Sequence, residues 1–168
     1  MAEENEKIVA LDGRRSKLAP EDARTLSQKW GKGTMAANYT VIPCALLRGQ
    51  ARLHIGPSEL AVLVHLIDHW WRPDAMPWPS KQTLADRLGV STKTVQRAIV
   101  NLEKEGLVLR KDRYHKTGGR TSNEYDLSPL VERLKPIAAD MEKASEDAKA
   151  GKKAAERPGW KNRTPASS

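Results

Sequence analysis

One cysteine, Cys44, is all the chain has among 168 residues, so no disulfide can form within it and a reducing cytosol is the default compartment. Long hydrophobic runs are missing as well. Nothing approaches a membrane span, and the opening MAEENEKIVALDG is acidic with no apolar signal core, which points to a cytoplasmic protein without a membrane partner. There is no GxSxG elbow, no Walker-type GxxxxGK and no HExxH helix, and no recognisable motif joins the cysteine to a histidine. Enzymatic activity is therefore not expected. His65 and His69, with Asp68 beside them, have the i, i+4 spacing of a helical metal pair. A third ligand and a general base are lacking, and nothing in the spacing ties Cys44 or His54 to the pair, so ordinary histidines at a helix surface or interface are the better reading. No cofactor, metal or small-molecule effector is expected.

Positive charge is abundant. Lys and Arg total 29 against 21 Asp and Glu, a net charge of +8 that favours an acidic partner such as nucleic acid. The length suits one domain of about 100 residues with tails. The informative stretch is PWPSKQTLADRLGVSTKTVQRAIVNLEKEGLVLRKDRYHKTGGRTSNEYDL, residues 77–127.

Within it Ser80 can cap a helix whose face is Leu84, Ala85 and Leu88, and Gly89 can end that helix in a left-handed conformation. A second cap stands at Ser91, so a two-residue join sets the helices at a steep angle. Counting 100° per residue from Val95 puts Ala98, Ile99 and Leu102 on a packing face. Lys93, Gln96, Arg97, Val100 and Lys104 point away, with Thr94 and Asn101 on a flank. Lys and Arg can bond guanine N7/O6, and Gln or Asn can bond adenine N6/N7, so this face suits a major groove. On pattern alone a plain solvated face is the better reading of an isolated amphipathic helix. The segment beyond the helix decides between them: Leu107, Val108 and Leu109 start a strand, Gly118-Gly119 turns it, and Asn123 to Leu127 return. Arg110, Lys111, Arg113, Lys116 and Arg120 stand on this hairpin against one acid, Asp112, and would repel one another without a polyanion nearby.

The phrases WPSKQTLADRLGVSTKTVQRAIVNLEKEGLV and TSNEYDLSPL, with YTVIPCALLRGQARLHIGPSELAVLVHLI upstream, resemble the winged helix-turn-helix domains of bacterial transcriptional regulators and of plasmid or phage replication proteins. The likeness covers roughly Asn38 to Leu134. It implies a mostly α protein with a small β-hairpin (α+β), in which a three-helix core carries a wing and a C-terminal helix. It also implies binding of double-stranded DNA. Base readout would fall to Ser91, Thr92, Lys93, Thr94, Gln96 and Arg97, and the DNA backbone to Ser80, Lys81, Asn101, Lys104, Arg113, Lys116 and Arg120. Ser91 has a competing task as a cap, and the helical wheel puts Thr92 near the packing side. A transcriptional regulator is the first expectation, a replication initiator the second, and a protein-interaction scaffold the third.

Outside the motif, Pro57 opens an apolar helix with a stripe of Leu60, Leu63, Val64, Ile67 and Trp71. Val62 and Leu66 lie opposite, beside the histidines, and would need cover from the N-terminal segment or a second copy. Residues 1–37 read as a flexible segment with a short helix over Pro20 to Trp30 and a hinge at Gly31-Lys32-Gly33. Thr40 to Ile42 suit a short strand. The DNA-binding domain is expected over 38–135, a helical extension over 136–150, and a disordered basic tail over 151–168. Leu130, Leu134, Ile137, Met141, Ala144 and Ala148 repeat at 4-3-4-3-4 spacing. That seam serves either a homodimer or the chain's own domain, with Pro136 interrupting it.

Overall fold

Serine, proline and glycine punctuation sets the central helices. The computed structural model describes residues 20–114, 118–119 and 121–155. Helix α1 (Pro20–Trp30) and the short α2 (Lys32–Ala36) precede α3 (Cys44–Arg48) and α4 (Gln50–Leu53). The core helices are α5 (Pro57–Asp68), α6 (Lys81–Leu88) and α7 (Thr92–Lys104). Strands β1 (Leu109–Lys111) and β2 (Glu124–Asp126) form the wing, and α8 (Ser128–Ala155) closes the described chain.

The Ser80 hydroxyl accepts the Thr83 N–H at 3.0 Å, and the Ser91 hydroxyl accepts the Thr94 N–H at 3.1 Å. Each satisfies a donor that the first helical turn leaves without a partner, typically worth about 1 kcal/mol. Between them Gly89 sits at φ 64°, the left-handed conformation that costs other residues about 1–2 kcal/mol. At α5, the Glu59 carboxylate accepts the Gly56 N–H at 3.1 Å, the acidic half of a capping box.

Helix α7 packs against α5 and α6. It buries Val95, Ala98, Ile99 and Leu102 against Leu84 and Ala85 of α6 and Val62, Leu63 and Leu66 of α5 within one hydrophobic cluster. Each fully buried Leu or Ile contributes about 1.5–3 kcal/mol. The stripe expected on α5 is displaced: Val62 and Leu66 belong to the core of a single chain, whereas Val64 and Ile67 are half-buried and Trp71 is exposed. An apolar helix gives the period no polar side to fix its phase, which is why the sequence favoured a neighbouring stripe. Cover by a second copy is not needed there.

Leu107 and Val108 are fully buried and join the core, so the ladder begins only at Leu109. It runs antiparallel with Leu109 opposite Asp126, Arg110 opposite Tyr125 and Lys111 opposite Glu124. Tyr125 points inward, and its N–H donates to the Pro77 carbonyl at 2.9 Å, so the stretch before α6 is fastened to the wing.

Leu130, Leu134 and Ile137 seat α8 on the domain, with Met141 partly buried beyond them and Ala144 and Ala148 exposed. The first half of the seam thus serves the chain's own core. Pro136 does not interrupt the helix, which runs unbroken through Ala155 and takes in residues 151–155, where a disordered tail was expected. The remainder of that tail, and residues 1–19, lie outside the described residues. Gly49 joins α3 to α4 beneath α8; a Cβ there would meet the Ala45 carbonyl oxygen at 2.5 Å and Ile137 side-chain atoms at 3.1 and 3.2 Å.

Upstream, α1 has the expected bounds, but the break falls at Gly31 alone (φ 85°), with Gly33 inside α2. Thr40 to Ile42 form no strand. Instead the Thr40 hydroxyl donates to Asp68 at 2.6 Å, pinning that segment to the end of α5.

Candidate nucleic-acid interface

The outward face of α7 is open. Thr92, Lys93, Arg97, Val100, Asn101 and Lys104 are exposed, Thr94 and Gln96 half-buried. The N-terminal end of α7 borders a groove of about 670 Å³, with Ser80, Lys81, Gln82, Thr92, Lys93 and Gln96 on one bank and Thr121, Ser122 and Asn123 on the other. The structure thus brings together Ser80, Lys81, Thr92, Lys93 and Gln96, and adds Gln82 and the Thr121–Asn123 run, which the sequence pattern alone did not single out. A clue was present: Thr, Ser and Asn just before a return strand stand where a hairpin faces the helix it follows.

Several of these side chains already have partners. Lys81 Nζ donates to Gln96 Oε1 at 2.9 Å, which fixes the amide and leaves its NH₂ available to an acceptor. Ser91 and Ser80 are committed as caps, and the Thr94 hydroxyl lies 2.9 Å from that of Ser91. Asn101 donates to Glu59 Oε1 at 2.8 Å, tying α7 to the first turn of α5. That bond, ahead of the opposing effect of burial, holds the Glu59 carboxyl below its ordinary pKa.

The wing is less charged than its sequence suggests. Arg110 pairs with Glu103 at 3.1 Å, Lys111 with Asp126 at 3.0 Å and Arg113 with Glu124 at 3.5 Å, so cross-strand and helical acids relieve the repulsion expected among these cations. These three residues therefore do not by themselves demand a polyanion. Lys116 and Arg120, expected at the wing tip, lie outside the described residues.

The histidine pair has local explanations. The ring of His69 uses Nδ1 on the His65 carbonyl at 2.8 Å, and His65 is held below its ordinary pKa by burial first and by the charge of Arg87 second. Among the described residues no cluster of three metal-ligating side chains exists, and no helix is long and apolar enough to cross a membrane.

Two capped helices joined by Gly89-Val90, the second open along its polar face, are the decisive geometry, and residues 53–108 match the family profile described as a helix-turn-helix domain. Over that stretch, about a third of the chain, the protein is similar to helix-turn-helix domains. No curated protein matches the chain. Solved structures similar to it include the N-terminal domain of DnaD from Geobacillus kaustophilus HTA426, at 21% identity and TM-score 0.48 over 70% of this chain and 93% of that one. A possible transcriptional regulator from Methanosarcina mazei Go1 aligns at 18% identity and TM-score 0.40, over 60% and 82%. S. aureus MepR in complex with DNA aligns at 19% identity and TM-score 0.39, over 65% and 85%. In this chain the β1–β2 hairpin comes directly after the matched stretch, in the place of a wing.

Proposed function

We propose that the protein binds double-stranded DNA sequence-specifically and acts as a transcriptional regulator, with α7 in the major groove. The observation that supports this is the uncovered polar face of α7 bordering, with the wing's return strand, a single groove. Lys93 and Arg97 read bases, as does Gln96 through its amide NH₂, with Thr92, Thr94 and Ser91 at the helix start beside them. Held by Lys81 through one lone pair of its Oε1, Gln96 presents its NH₂ in a fixed direction to acceptors such as guanine N7/O6, thymine O4 or adenine N7. Ser80, Lys81, Lys104, Asn101 and Arg113 face phosphates, as do Lys116 and Arg120 in this reading.

The test is recovery of bound fragments from a random DNA pool at physiological salt, then binding of variants to the recovered site and to unrelated duplex. Arg97→Ala is expected to cost about 1–3 kcal/mol on the recovered site and little elsewhere. Lys104→Ala should weaken every duplex and lower the salt slope by about one. Equal losses on all sequences for Arg97→Ala would overturn the base-reading assignment. Fragments that overlap promoters support regulation; iterated repeats beside an origin would replace it with replication initiation.

A further inference from the structure

Between α5 and α6 the chain passes three tryptophans; Trp70 packs on the core, and the other two are not used by the duplex reading. Trp71 is 44% and Trp78 41% exposed, yet both are held in place. Trp71 Nε1 donates to the Asp68 carbonyl at 2.7 Å, and its ring meets that of Trp78 edge-on with centroids 6.2 Å apart. The Trp78 carbonyl accepts from Ser122 at 3.0 Å, and the Arg113 guanidinium lies 4.9 Å above the Trp78 ring. The imidazole of His69 stacks on Trp71 at 6.2 Å. With Pro79, Ser80 and Thr83 these rings line a groove of about 290 Å³. Ser80 lines this groove and the larger one beside α7, so the two adjoin.

A purely structural role, sealing the wing to the helices, would be best served by burying both indoles. They are instead half-open, rigid and accompanied by a cation. Rigid aromatic faces need little ordering on binding, and any nucleobase offers a π-face to them, while the Arg113 guanidinium, which meets Glu124 through Nε at 3.5 Å, has further N–H donors for a phosphate of the same strand. Paired bases of a duplex are stacked internally and cannot reach these rings, so the chemistry selects an unpaired nucleotide.

We propose that the Trp71–Trp78 cluster, beside Arg113, is a stacking site for an unpaired base of single-stranded DNA, adjoining the face assigned to duplex DNA. The site goes beyond the duplex reading and does not depend on it. The test uses the full chain and fluorescence anisotropy of two labelled strands of about sixteen nucleotides, oligothymidine and an abasic deoxyribose-phosphate strand of equal charge. Oligothymidine is expected to bind about tenfold tighter than the abasic strand. Trp71→Ala should abolish that preference, and Trp71→Phe, which keeps an aromatic face, should retain most of it. Equal affinity of the wild type for both strands overturns the proposal even if the variants fail to fold; so does a folded Trp71→Ala protein that keeps the preference, which would leave the rings to another occupant such as a protein. Neither strand forms a duplex, so these outcomes are read separately from the fate of the duplex assignment.

Discussion

Asp126 shows how much one side chain at a junction can do. Its carboxylate accepts the Ser128 hydroxyl at 2.6 Å and the Ser128 N–H at 3.0 Å, opening α8, and meets Lys111 across the hairpin. These bonds, those from Ser128 first, lower its pKa from the ordinary 3.8 to about 2. The folded state therefore binds the proton less readily than the unfolded chain, and the stability gained is present above pH 3.8 and lost as the pH falls toward about 2. Melting curves across that window should show the gap between the wild type and Asp126→Asn closing as acid is added. Asn101 is a second case. Its position on a flank of the α7 wheel was legible, but its partner Glu59 lies 42 residues earlier, beyond any local pattern. Asn101→Ala is expected to cost about 1 kcal/mol of stability, read by urea unfolding.

At the scale of elements, what could be read was what local rules govern. Ser80, Gly89 and Ser91 mark helix ends by their own chemistry, and Val95, Ala98, Ile99 and Leu102 share a face by arithmetic, so α6 and α7 were legible almost to the residue. The short helices α3 and α4 were not, because each is too short to display a period and owes its shape to the packing of Ala45, Leu46 and Leu53 in the core. The wing's strands were found, but the acids that neutralise them come from the opposite strand and from α7, which required the register. Gly49 likewise carried no sequence signal for its role. Because a Cβ there would collide with the Ala45 carbonyl and press on Ile137, Gly49→Ala should destabilise the protein by about 1–3 kcal/mol, measured by thermal melting, and loosen α8 from α3.

For the whole molecule, the net charge of +8 sets the expected response to salt. Duplex affinity should fall steeply as salt rises, in proportion to the phosphates contacted, whereas a contribution from base stacking should persist. The first half of the α8 seam is spent on the chain's own domain, leaving the exposed stretch beyond Met141 as the part available to a partner. If that stretch pairs two copies, the recovered sites will be inverted repeats with centres about 34 Å apart, and sedimentation will report a dimer.

The bond from the Tyr125 N–H to the Pro77 carbonyl, beside the contact of Arg113 with Trp78, couples the hairpin to the stretch that leads into the helix pair. If α7 and the hairpin hold DNA as proposed, they act as one stiff caliper with a preset gap. A DNA whose local curvature differs from that gap must deform to be held, so flexible steps flanking the contacted bases should be selected although no side chain touches them.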